Sequence, residues 1–256
     1  MRIIGIDPAW SSQNPSAVVL IEGEQDDWRC TRLAPSAELF CRDESSVSSM
    51  FRRGVHGGRL DLGAILHETG EVSVIVVDMP LARDGNVYGT RAADRQVSRT
   101  FASAGCPTYT PNAKLHRELG DISNSVLAVA DSNGYCFNDK LIETYPHPAI
   151  LSLLNIQYRL PYKVNKRAHY WPDIHQPFEL KSQLVENMLS LRNSIKNKIA
   201  LPSEFTFDAG MPYSTLKIYE DILDALVCAW VGIEYLNNRC CRFGDDNTTI
   251  WIPEQW

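Results

Sequence analysis

Two apolar runs in this chain end the same way. Ile3-Ile4-Gly5-Ile6 runs into Asp7-Pro8, and the stretch from Val72 to Val77 runs into Asp78-Met79-Pro80. A β-branched run without polar alternation reads as a strand covered on both faces, which is what a parallel sheet between helix layers requires. Proline then stops the ladder, because it has no N–H to donate. Each strand therefore delivers a carboxylate at its C-terminal end, and strand tips on one edge of a sheet converge.

The rest of the pattern supplies the sheet's other strands and its covering helices. Residues 17–22 and 28–33 are extended runs joined by the polar stretch 23–27, short enough for an antiparallel hairpin. With the first strand they make a three-strand meander. Residues 60–68 carry Leu62, Ile65 and Leu66 at helical spacing and stop at Gly70. Residues 90–104 are the clearest helix of the following stretch, broken by Gly105, Pro107 and Pro111. Residues 140–145 read as a further strand, with Glu143 near its end. Residues 178–195 form an amphipathic helix on the stripe Leu180, Leu184, Met188, Leu191 and Ile195. The longest helix covers 214–236, and residues 248–252 alternate like a short strand. We expect one domain over residues 1–256, with a helical insertion at about 150–210.

Composition removes several classes. At 256 residues, 44% hydrophobic and 22% charged, the chain can bury a full core and is neither disordered nor fibrous. Its longest apolar stretches, 72–77 and 225–233, fall well short of the roughly 20 residues that span a bilayer. The opening Met-Arg-Ile-Ile-Gly-Ile-Asp is not a secretory signal, so a cytoplasmic location is expected. Seven scattered cysteines without C-x-x-C, and histidines without zinc spacing, encode neither a disulfide framework nor a zinc site. A net charge of −6 gives no global footprint for duplex nucleic acid, so any such contact is local.

The long helix adds two more acids. Asp221 and Asp224 lie three apart, on one face of a helix with 3.6 residues per turn. Around them Ile222, Leu223, Ala225, Leu226, Val227, Ala229 and Trp230 are apolar on nearly every side, which implies burial. A buried carboxylate is costly unless protonated, paired or bound to metal. No arginine accompanies these acids in their short motifs. Divalent cations are the simplest compensation, and hard oxygen ligands suit Mg2+ or Mn2+. Two ions about 3.5 to 4 Å apart would clamp the attacking and leaving oxygens of a phosphodiester, so the expected chemistry is its metal-assisted hydrolysis.

Gly5-Ile6-Asp7-Pro8-Ala9-Trp10, Val76-Val77-Asp78-Met79-Pro80-Leu81, Arg91-x-x-Asp94-Arg95, Ile142-Glu143-Thr144-Tyr145-Pro146-His147-Pro148, and Glu220-Asp221-x-x-Asp224 with the apolar run to Trp230 occur in this order. Together they resemble the predicted ribonuclease H-like nuclease family known as domain of unknown function 429. The resemblance covers nearly the whole chain. It implies an α/β ribonuclease H-like fold: a mixed five-stranded sheet, with an antiparallel three-strand meander plus parallel strands, flanked by helices. It also implies that Asp7, Asp78 and Asp224 are the metal-binding acids of the Holliday-junction-resolvase branch, with Asp221 beside them. The helix at 60–68 offers only Glu68 near its end, so a glutamate from that helix is not expected in the site.

Supporting positions have two readings each. Asp221 is a further catalytic acid or a solvated helix residue; Glu143 is a ligand, a support for one, or a turn cap. Arg91, Arg95 and Arg99 fall four apart and would meet substrate phosphates from one helix face, or form an exposed face with Asp94 as counter-charge. Lys163, Lys166 and Arg167 would grip a backbone, with Tyr158, Tyr162, Tyr170 and Trp171 as platforms for unpaired bases, or form a solvated loop. Trp10 is a wall of the site or core, and Cys228 is a small hydrophobe rather than a nucleophile. The favoured function is a Mg2+- or Mn2+-dependent nuclease on RNA, DNA or a branched junction. A non-catalytic nucleic-acid- or protein-binding module is the alternative. A phosphotransferase on the related actin-like fold loses ground, because Pro8-Ala9-Trp10 provides no glycine pair for a phosphate loop.

Overall fold

A computed structural model describes residues 1–42, 55 and 57–254. Among these residues seven strands form one mixed sheet in the order β3-β2-β1-β4-β5-β7-β6, where β1 is Arg2–Asp7, β2 Ala17–Glu24, β3 Asp27–Ala34, β4 Val74–Val77, β5 Leu141–Thr144, β6 Cys240–Gly244 and β7 Thr249–Pro253. β1, β2 and β3 form the antiparallel meander, and β4, β5 and β7 continue the sheet parallel to β1. This is the α/β architecture expected from the sequence, with seven strands instead of five. The added edge is a C-terminal hairpin, β6 antiparallel to β7. β7 coincides with the alternating tail, whereas Cys240-Cys241-Arg242-Phe243-Gly244 has little apolar alternation because it forms the half-exposed edge.

Among the described residues the helices are α1 Ala37–Cys41, α2 Leu62–Thr69, α3 Ala92–Phe101, α4 Leu119–Ser132, α5 Pro146–Leu154, α6 Arg167–Tyr170, α7 Pro177–Lys196 and α8 Tyr213–Leu236. Two cores lie on opposite faces of the sheet, and strand parity decides which residues enter each. Ile3, Val74, Val76 and Ile142 pack with α8 and α7. Ile4, Ile6, Ile75, Val77 and Leu141 pack with α1, α2 and α4. Both faces being covered explains the unbroken apolar runs of β1 and β4. Residues 150–210 supply α6, α7 and their connections, and Leu184, Met188, Leu191 and Ile195 of α7 join the α8 core.

The β2–β3 connection is tighter than the sequence suggests. Both strands extend inward, leaving only Gln25 and Asp26 between them, with Gln25 at φ 55° as a tight hairpin turn requires. Among the described residues no helix is long and apolar enough to cross a membrane.

Candidate metal centre

α8 lies unusually close to β1, and Gly5 is the reason. A Cβ on Gly5 would stand 2.1 Å from the Ala225 carbonyl oxygen and 2.6 Å from the Ala229 nitrogen, so only glycine lets the two backbones meet. Asp7 follows two residues along the strand, on the same face, and Asp224 immediately precedes Ala225. Carboxylate oxygens of Asp7, Asp221 and Asp224 consequently lie within 4.8 Å of one another. Asp78 stands alongside: its N–H donates to the Ile6 carbonyl at 3.0 Å, and by parity it follows Val74 and Val76 onto the α8 face. Acids separated by more than 200 residues of sequence thus meet at one strand edge.

Burial and mutual repulsion act on this group in the same direction. Asp7 is pushed well above the usual carboxylate range, first by burial and then by the charges of Asp224 and Asp221. Asp78 is pushed up to about 8 by burial and by Asp224, against the pull of Lys163. Asp221 is pushed up to about 6 by burial, with Lys217 opposing.

Two ammonium groups supply part of the missing charge. Lys163 Nζ is ion-paired with Asp224 and lies 3.5 Å from Glu220 Oε1; Lys217 Nζ pairs with Asp221 and with Glu220 Oε1 at 2.9 Å. Burial alone would lower Lys163, but Asp224 and the other surrounding negative groups outweigh it and hold the ammonium well above its ordinary value. Tyr162, fully buried, donates its hydroxyl to Asp224 Oδ1. Five carboxylates, counting Glu220, face two ammonium groups among the described residues, a shortfall of three positive charges. Among the described residues no hydrogen bond or ion pair reaches the carboxylate of Asp7 or Asp78. Free, closely spaced hard oxygens with unmatched charge fit Mg2+ or Mn2+.

Glu143 belongs to a different group. Register aligns it with Val77, and Val77 with Ile6, so it points with them to the face opposite Asp7 and Asp78. There the Arg91 guanidinium grips it with two bonds of 2.6 and 2.7 Å, holds Asp94 at 2.9 and 3.0 Å, and donates to the Leu81 carbonyl; the Leu81 N–H completes Glu143 at 2.7 Å. Arg91, Asp94 and Glu143 are all buried. The expectation of a phosphate contact for Arg91 is therefore corrected: it precedes the first turn of α3, faces inward and is fully engaged, while Arg95 and Arg99 are exposed on that helix. Glu143 correspondingly stands apart from the cluster of Asp7, Asp221 and Asp224.

Lys163 and Tyr162 are corrected as well. Neither is a surface grip or an outward stacking platform; both turn inward onto Asp224. Tyr158 is 66% exposed, and Arg167 lies over the Tyr213 ring at 4.0 Å. Trp10 is half-buried, 4.9 Å from the His116 ring, and shares with Asp7 and Asp221 the wall of a cavity of about 780 Å3. Cys228 is buried, and burial pushes its thiol well up, as suits an inert core residue. Sequence reasoning passed over Lys217 and Glu220, although Lys217-x-x-Glu220-Asp221-x-x-Asp224 displays their shared helix face in its spacing.

A mixed α/β sheet with a partly buried acidic cluster where its central strands meet the long helix defines the architecture. The chain belongs to the family whose model, described as "Protein of unknown function (DUF429)", matches residues 5–249. No curated protein matches it. Among solved structures it is similar to the "Thermus thermophilus RuvC structure", with 12% identity and a TM-score of 0.41 over 93% of this chain and 96% of that one. Fold likeness at that level does not fix a function.

Proposed function

We propose that this protein is a divalent-metal-dependent nuclease that hydrolyses phosphodiester bonds in nucleic acid. One observation carries the reading: Asp7, Asp221 and Asp224 converge within 4.8 Å, with Asp78 alongside, at a cavity large enough to admit a nucleotide, and the described residues do not balance their charge. Mg2+ or Mn2+ held there would lower the pKa of a bound water and stabilise charge building on the phosphate. Asp7 and Asp78 contribute carboxylates that no donor of the described residues occupies. Tyr162 and Lys163 fix the orientation of Asp224, and Lys217 fixes that of Asp221. Trp10 forms a flat wall against which a nucleoside packs, while Arg95 and Arg99 offer exposed guanidinium groups to flanking phosphates.

RNA, DNA and branched junctions share this chemistry, so the test presents all three. Labelled single-stranded, duplex and four-way-junction substrates are incubated with Mn2+ or Mg2+. Wild-type protein cleaves at least one, and Asp7→Asn or Asp224→Asn lowers the rate about a hundredfold or more, with the circular dichroism spectrum unchanged. Undiminished hydrolysis by either variant contradicts the assignment. Binding without cleavage by the wild type favours the alternative, a non-catalytic binding module.

A further inference from the structure

The short segment 161–164 is clamped onto α8 from several directions. Val164 N–H donates to Glu220 Oε2 at 2.6 Å, Asn187 Nδ2 donates to the Pro161 carbonyl at 2.9 Å, and the Tyr162 ring is fully buried with its hydroxyl on Asp224. Glu220 and Asp224 are one helical turn apart, so a backbone pinned at the first delivers the Lys163 ammonium between the two. This lysine is only 21% exposed and has little freedom to swing into solvent.

Both oxygens of Asp224 are consequently engaged by protein donors, Oδ1 by Tyr162 and Oδ2 by Lys163. Each oxygen of Asp224 thus carries one protein donor, and of its roughly four lone-pair sites about two remain for a cation shared with Asp7 and Asp221. Asp224 is also the wholly buried member of the cluster, and the one whose charge Asp7 and Asp78 feel most strongly. A second ion at this carboxylate would meet the Lys163 ammonium, which already lies against it. Charge points the same way. One divalent ion added to the two lysines sets four positive charges against five carboxylates. A second would make six; either count lies within one charge of balance, and what weighs against the second ion is repulsion by the buried ammonium already on Asp224.

We infer that the Lys163 ammonium is a built-in cation that takes the place of a second metal ion, limiting the cluster to one divalent ion per chain rather than the two expected from the sequence. The inference rests on the metal-binding reading above but not on catalysis. It makes Lys163 a positioning residue, acting through Asp224 and Glu220.

Binding stoichiometry is the test. Protein stripped with EDTA and dialysed is titrated with Mn2+, following heat and the free-ion electron paramagnetic resonance signal. Wild type takes up one ion. Lys163→Met takes up two, the first at least tenfold more tightly, and Lys163→Arg, which keeps the charge, remains at one. In EDTA the methionine variant melts below wild type, and Mn2+ raises its melting temperature more than it raises that of wild type. Two ions in the wild type, or one ion at unchanged affinity in Lys163→Met, overturns the inference; the wild-type count alone decides if the methionine variant does not fold. No uptake by any of the three removes the metal reading along with it. A single ion without any cleavage of nucleic acid leaves this inference standing and sinks only the nuclease.

Discussion

Asp78 and Glu143 stand at the tips of neighbouring strands, and a one-residue difference in register sends them to opposite faces of the sheet. On the α2 and α4 face, Glu143 meets a guanidinium that saturates it together with Asp94. On the α8 face, Asp7 and Asp78 meet further carboxylates, and among the described residues only two ammonium groups are at hand for five acids. The first arrangement is complete and has nothing left to bind. The second is favourable only with added positive charge or added protons. Burial alone therefore does not mark a functional acid; burial without a matched partner does.

Removing the guanidinium should break the contrast with the largest effect. Arg91→Met leaves two buried carboxylates without a counter-ion and is expected to cost about 3–5 kcal/mol in urea unfolding. Replacing Arg91, Asp94 and Glu143 together with Met, Leu and Leu should cost much less, because no charge is then stranded. A single-variant cost below about 1 kcal/mol would show that the two groups do not differ as described.

Acidity distinguishes the two groups at a smaller scale. Asp78 has an ordinary value of 3.8 and stands at about 8 in the folded chain. The native protein therefore binds more protons than the unfolded chain between those values, and stability falls as pH rises through that window. Metal-free protein should melt several degrees higher at pH 6 than at pH 8.5, and Mn2+ should shrink or reverse the difference. Glu143, raised to about 7 by burial against the pull of Arg91, adds to the same slope. Asp78→Asn separates them, since it should remove part of the slope that Mn2+ also removes. A melting temperature that rises with pH in EDTA would contradict this.

The smallest effect belongs to the exposed face of α3. Arg95 is exposed on α3, and Arg95→Glu should weaken nucleic-acid binding about three- to tenfold at low salt while leaving Mn2+ affinity unchanged. Equal loss of both would place it in the metal centre instead.

Much of this arrangement can be read from the sequence, because it depends on local pattern. The doubly covered strands declare themselves as unbroken apolar runs, the acids follow directly at their ends, and α8 announces itself by its length and apolar girth. What escapes is whatever long-range geometry decides. Glu143 and Asp78 look alike in sequence, and only the β4–β5 register shows that they face apart. Arg91 repeats at helical spacing with Arg95 and Arg99, but it precedes the first helical turn and bends inward toward Glu143, 52 residues away. Lys163 and Tyr162 sit in a polar, aromatic stretch typical of surface loops; what turns them inward is the clamp on Glu220, Asp224 and Asn187. β6 is short, half exposed and weakly patterned, so it becomes a strand only by pairing with β7.

Anomalous scattering from a crystal soaked in Mn2+ compares both regions in a single experiment. The account predicts one manganese peak among Asp7, Asp221 and Asp224, and none beside Glu143 and Asp94. An empty acidic cluster on the α8 face, or a manganese ion bound at Glu143, would contradict it.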